Sequence, residues 1–204
     1  MHVYLATEDE LSEAVGLRLL REHKAFAQIQ PTLLRKDGSG YLRSNMDKWK
    51  NLAQHQLVVL LTDLDKITCP VALLDDWLGT GRVCPGNLIF RVAEREVEAW
   101  LMADHEAFAL LMGKKAKLPR EPDALLDPKR YLLEQARKAP RTVRQDLIAE
   151  TGAVAKQGIG YNNCLVKWMK AKWCPQRAAE RSPSLARARR ALNQAAERAV
   201  QSDK

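Results

Sequence analysis

The sequence predicts an α/β fold in which a mainly parallel sheet is flanked by helices and followed by a basic α-helical extension. Three observations carry the prediction. Short runs of apolar and β-branched residues at 3–6, 57–61 and 87–93 alternate with stretches of helical periodicity, the order that builds parallel strands through helical crossovers. Leu57-Val58-Val59-Leu60-Leu61 has no polar position, as a strand covered on both faces requires. Charge is also divided: residues 1–113 hold 12 basic and 16 acidic side chains, and residues 114–204 hold 21 and 9. The net charge of +8 therefore arises entirely in the second part. Two regions follow, an α/β domain over 1–112 and a helical extension over 113–204 that opens on Lys114-Lys115-Ala116-Lys117.

The elements can be taken in order. Val3-Tyr4-Leu5-Ala6 is a short strand, and Thr7 with Glu10 forms a capping-box pattern for a helix over 8–22. Leu11, Ala14, Val15, Leu19 and Leu20 give that helix its apolar face. A second strand is expected within residues 26–34, around Ala27-Gln28-Ile29. Residues 35–43 (Arg35-Lys36-Asp37-Gly38-Ser39-Gly40-Tyr41-Leu42-Arg43) read as a basic, glycine-containing loop, and 44–54 as a helix. After the central strand, Pro70 opens a helix that Gly79 stops beyond Leu78. Pro85-Gly86 turns into the strand at 87–93, and a helix is expected from Glu94 to about Met112. Further helices are expected at 128–138, at 141–149, after Asn163, and at 184–201 with Ser182 or Ser184 as cap. Trp168 and Trp173 are read as the packed face of the third of these.

Composition narrows the class. Hydrophobic residues make up 46% and charged residues 28%, ordinary for a globular domain. No apolar run approaches the roughly 20 residues of a membrane helix, and the chain enters a strand with no basic-then-apolar leader. Cys69, Cys84, Cys164 and Cys174 form no C-x-x-C pair and lack histidines at zinc spacing. Reduced thiols, a cytoplasmic location and no structural metal are expected. No G-x-x-x-x-G-K-[ST] occurs, so the chain carries no P-loop.

The chemistry-bearing residues collect at strand ends. The central strand runs into Asp63-Leu64-Asp65-Lys66, where open α/β sheets place their ligands. Carboxylates two apart at a strand end share a face and can reach one hard cation. The blander reading is an Asx turn. Glu8 stands at the first strand-to-helix junction and aims at the same sheet edge if the two strands are neighbours. It equally suits the positive end of a helix, as do Asp9 and Glu10. Glu94 and Glu98, four apart, follow the strand at 87–93 and are further acidic ligand candidates, with Glu96 between them; a solvated first turn rich in Glu is the alternative. Lys36 and Arg43 in the glycine loop, Lys114, Lys115 and Lys117 in the hinge, and Lys167 and Lys170 beside the tryptophans are candidate nucleic-acid contacts.

An early strand ending in Glu8, then a helix, then a strand ending in Asp63-x-Asp65 resembles the Toprim domain, the α/β metal-binding module of topoisomerases, DnaG-type primases and OLD-family nucleases. The stretches at 6–14 and 91–104, the latter containing Glu94-Arg95-Glu96-Val97-Glu98-Ala99-Trp100-Leu101, are also similar to small Toprim-like bacterial proteins encoded beside an AAA or ABC-type ATPase in anti-phage defence cassettes. Asp9 stands where many members carry glycine, and Ser12 where many carry an acid. The resemblance covers residues 1–112 and implies Mg²⁺ or Mn²⁺ held by Glu8, Asp63 and Asp65; a second metal would need more ligands, for which Glu94, Glu96 or Glu98 is a candidate. Lys66 would neutralise charge developing on a phosphate.

The expected function is a metal-dependent nuclease subunit acting on DNA or RNA, controlled by a partner ATPase and not membrane-bound, with homo-oligomerisation left open. Two alternatives stay open. One is a non-catalytic nucleic-acid or protein-binding subunit whose carboxylates are caps and ion pairs. The other is a phosphotransferase of haloacid-dehalogenase type with Asp63 as nucleophile, against which stand the late position of the motif and Ile67 at a place where Thr or Val is common.

Overall fold

A computed structural model describes residues 2–35, 38–79, 81 and 83–202. The chain forms two compact units. One comprises the residues up to Glu94 together with those from Ala186 onward, and the other spans Arg95–Leu185. These units are drawn differently from the regions 1–112 and 113–204 read from charge, and the last helix contributes to the first unit from Ala186 onward. Charge composition changes near residue 113, but compaction follows apolar faces.

The first unit is the α/β fold expected. Strands β1 (Val3–Thr7), β2 (Thr32–Arg35), β3 (Leu57–Asp63) and β4 (Leu88–Ala93) form one sheet in the order β2-β1-β3-β4. All three pairings are parallel. Between them run α1 (Glu10–Leu20), α2 (Lys24–Ala27), α3 (Ser39–Ser44), α4 (Met46–Leu52) and α5 (Pro70–Leu78). As its apolar run requires, β3 is buried from Leu57 to Thr62.

Alternate residues of the strands feed two faces. Ala6, Val58, Leu60 and Phe90 pack with Leu42, Met46, Trp49, Leu73 and Trp77. There Trp49 donates its indole N–H to the Leu42 carbonyl at 2.9 Å. On α1, Gly16 lies against Leu5 so closely that an added Cβ would stand 2.8 Å from Leu5 Cδ1. Helix α1 is capped by Asp9, which accepts the Ser12 N–H at 2.8 Å, and not by Thr7, which is the last residue of β1. The second strand also moves. Residues 24–27 coil into a short helix that buries Phe26, and β2 forms after Pro31. As a mostly exposed edge strand it offers little apolar signal.

The second unit is helical: α6 (Val97–Ala103), α7 (His105–Met112), a 3₁₀ turn (Pro122–Ala124), α8 (Pro128–Ala136), α9 (Arg141–Leu147), α10 (Tyr161–Lys172) and α11 (Pro175–Ala179). Every residue of α6 is buried. Trp100 donates to Ser184 Oγ at 2.6 Å, while Trp173 donates to the Trp100 carbonyl at 3.1 Å. The packed reading of Trp168 and Trp173 holds, both being buried.

The helix expected over 94–112 is broken twice. Arg95 adopts a left-handed φ of 65°, so helix begins only at Val97. Asp104 then leaves helical geometry, and its buried carboxylate caps α7 and takes two guanidinium bonds from Arg177, at 2.9 and 2.8 Å. The Cys174 amide adds a third at 2.7 Å.

Helix α12 (Pro183–Ser202) starts under a Ser182 cap, whose Oγ accepts the Leu185 N–H at 3.2 Å. From Ala186 onward it belongs to the first unit. Arg189 grips Glu22 with two bonds at 2.9 and 3.2 Å, and Arg198 donates to the Gly86 carbonyl at 3.1 Å. All four cysteines are free thiols. No helix among the described residues is long and apolar enough to cross a membrane.

Candidate active site at the carboxyl edge of the sheet

Strand order decides which residues meet. The chain steps from β1 outward to β2, then returns to pair β3 on the other side of β1. The carboxyl ends of β1 and β3 therefore form the switch point where doubly wound sheets hold ligands. In register, Thr7 lies opposite Leu61, which sets the next residue, Glu8, beside Thr62 and Asp63. Glu8 Oε1 accepts the Asp63 N–H at 2.9 Å and also the buried hydroxyl of Thr62. Two strand ends separated by 54 residues are joined through one carboxylate.

Asp65 reaches this edge differently from the strand geometry expected. β3 ends at Asp63, Leu64 still donates to the Ala93 carbonyl at 3.0 Å, and Asp65 turns out of the sheet with φ 50°. A left-handed backbone is rare for a residue bearing a Cβ, and Asp is among the few that tolerate it. Asp63 and Asp65 are thus not two positions of one strand face.

Electrostatics ties the acids together. Burial raises the Glu8 carboxyl above its ordinary range, and the bonds from Thr62 and Asp63 oppose this. The charges of Asp65 and Asp9 raise it further. Around Asp65 the surrounding protein raises the pKa, while exposed Lys66 lowers it.

Donor chemistry is all oxygen, matching Mg²⁺ or Mn²⁺ by type. Yet among the described residues no three acidic, imidazole or thiol groups are arranged to hold a metal ion. One Glu8 oxygen, Oε1, accepts both the Thr62 hydroxyl and the Asp63 amide.

The other expected residues are distributed widely. Glu94 precedes α6, shares no helix with Glu98, and is ion-paired with Arg187. Glu98 belongs to the second unit and is only 4% exposed. It accepts the Tyr161 hydroxyl at 2.8 Å, with Lys129 Nζ at 4.0 Å. Its carboxyl is pushed up to about 7 by burial and, next, by Glu96; Lys129 and the Tyr161 bond pull the other way. Arg43 is paired with Asp76 at 2.6 Å and sits on α3 rather than in a loop. Lys36 lies outside the described residues. Lys114, Lys115, Lys117, Lys167 and Lys170 are exposed side chains of the second unit, and the Lys117 amide is bonded to Gln135.

Sequence reasoning also passed over three residues. Thr62 is the one polar side chain inside the buried length of β3 and anchors Glu8; its place just before Asp63 was the available signal. Arg91 has a buried Nε without a hydrogen-bond partner, and Tyr161 holds Glu98 across 63 positions. Neither has a local signature. No family model, curated protein or solved structure matches the chain.

Proposed function

We propose that the chain is a Toprim-like, metal-dependent nuclease subunit that hydrolyses phosphodiester bonds of DNA or RNA, with Glu8, Asp63 and Asp65 as its acidic centre. The observation that supports this reading is the bonded approach of Glu8 to Asp63 at the switch point. Asp65 follows in a strained left-handed turn, and such strain concentrates at functional sites. The mutual repulsion of Glu8 and Asp65 is what a divalent cation relieves.

Glu8, Asp63 and Asp65 would hold Mg²⁺ or Mn²⁺. When bound, the ion supplies Lewis acidity toward a phosphoryl oxygen and lowers the pKa of its water. Thr62 and the Asp63 amide orient Glu8, and Lys66 offers a cation beside Asp65 to developing phosphate charge. A partner ATPase of AAA or ABC type, within a bacterial anti-phage system, belongs to the same proposal and rests on the resemblance alone.

The test is incubation of the purified chain with DNA and with total RNA in Mg²⁺, Mn²⁺ or EDTA, alongside Asp63→Ala and Glu8→Gln. Cleavage that needs metal and disappears in both variants is expected. Absence of cleavage, both alone and with an ATPase encoded beside it, would sink the nuclease reading.

One observation favours a second reading, a non-catalytic binding subunit. The Glu8 carboxylate already bridges β1 to β3 as a structural strut. Glu8→Ala would then lower the melting midpoint and leave nucleic-acid or protein binding intact.

A further inference from the structure

The second unit contains an open cleft of about 900 Å³ along α8 and the segment that precedes α10. Lys129, Leu133 and Arg137 lie at i, i+4 and i+8, so they form one stripe facing it. Lys156 lines it from a second wall, the segment before α10.

That wall is pinned to α9 and the residues after it. Ala149 donates to the Lys156 carbonyl at 3.2 Å, and Gly158 donates to the Leu147 carbonyl at 2.9 Å. A Cβ on Gly158 would stand 2.3 Å from the Asp146 carbonyl oxygen, so backbone meets backbone there without room for a side chain.

The acids that line the cleft are engaged locally. Glu96 accepts the Lys129 amide at 2.8 Å, Asp127 caps α8 by accepting the Arg130 amide at 2.8 Å, and Glu134 takes the Arg130 guanidinium at 3.2 Å. Lys129 is held in place, its ammonium 5.1 Å from the Tyr161 ring centre and 4.0 Å from Glu98. Among the described residues, Arg137 and Lys156 have no ion-pair partner. Of the four cations lining the cleft, Arg130 is paired with Glu134, which leaves Lys129, Arg137 and Lys156 beside buried Leu133.

We propose that this cleft binds a ligand carrying two or more phosphates, with Lys129, Arg137 and Lys156 as its contacts. The volume lies near the upper end for small-ligand sites, and the spread of three cations across two walls suits several linked phosphates better than one. A guanidinium at Arg137 adds bidentate geometry. The free source of this chemistry is a nucleoside triphosphate, and the polymeric source is a single-stranded oligonucleotide. The proposal is independent of the acidic centre in the first unit, and its test omits divalent metal so that cleavage plays no part.

The full chain would be titrated in EDTA with ATP and, separately, with a fluorescent oligonucleotide of about six nucleotides, a length within the range of single-strand sites. Arg137→Gln and Lys156→Gln are compared with Lys138→Gln, which removes the same charge one residue away and outside the cleft. Arg137→Gln and Lys156→Gln should each weaken binding about fivefold or more. For the oligonucleotide, each should also reduce the salt slope by about 0.7; Lys138→Gln should change little. Tighter binding of ATP would identify a nucleotide site, and tighter binding of the strand a nucleic-acid site. If neither probe binds, or if Lys138→Gln is as damaging as Arg137→Gln, the assignment is overturned.

Discussion

Replacing Glu98 by Gln should make the protein more stable above neutral pH and remove a pH dependence that the native chain shows. Glu98 is almost wholly buried on α6, and its carboxyl sits at about 7 against an ordinary 4.5. The gap corresponds to roughly 3 kcal/mol. Its sign follows from which state holds the proton more tightly. The folded state does, so this group penalises nothing below about 4.5, where both states are protonated. Stability then declines as pH rises toward about 7, and the full penalty persists above it.

Gln keeps an oxygen for the Tyr161 hydroxyl and carries no charge to desolvate. Urea unfolding followed by tryptophan fluorescence, from about pH 5 to about pH 8, reads the effect. Trp100, Trp168 and Trp173 report on this unit. The native and Gln curves should converge at the acid end and separate with rising pH, the variant more stable by on the order of 2–3 kcal/mol. Tyr161→Phe, which removes a donor that favours the carboxylate, should extend the native decline to higher pH. Parallel curves, or a Gln variant less stable near pH 8, would refute the reasoning.

Other expectations follow from single contacts. Asp104→Asn should cost about 3 kcal/mol, because a fully buried carboxylate that joins Arg177 to two backbone amides loses its charge; a shift below about 1 kcal/mol in urea unfolding would contradict it. Gly16→Ala should cost about 1–3 kcal/mol through the clash with Leu5, and a double-mutant cycle with Leu5→Ala should show strong coupling; additive effects would place the strain elsewhere. Thr62→Val should raise the Glu8 carboxyl further by removing a donor that lowers it, seen by NMR titration of that side chain; an unchanged titration would remove Thr62 from the site.

Much of the architecture was legible locally. β3 announced itself by five apolar residues in a row, because burial on both faces leaves no place for a polar one. Pro70 and Gly79 bracketed α5 as their backbone preferences dictate. Other elements hid for equally physical reasons. β2 is an edge strand with mostly exposed side chains, so tertiary hydrogen bonding places it more than composition does. The continuous helical periodicity over 94–112 concealed the break at Asp104, whose carboxylate is drawn out of the helix by Arg177 and Cys174, some 70 positions away.

At the candidate site, sequence named Glu8, Asp63 and Asp65 because acids at strand ends are visible by position. Their convergence depends on the pairing of β1 with β3, a contact between segments more than 50 residues apart that no local pattern encodes. The bridge from Thr62 to Glu8 arises from that same pairing. The burial of Glu98 beneath Tyr161 and the alignment of Lys129, Arg137 and Lys156 along one cleft likewise wait on helix packing. By itself the sequence determined which segments become strands and helices and which side chains can carry charge, since propensity and periodicity act over a few residues. Tertiary structure alone decided which of those charges stand together, which are neutralised and which remain available, because that depends on distance through space and on access to water.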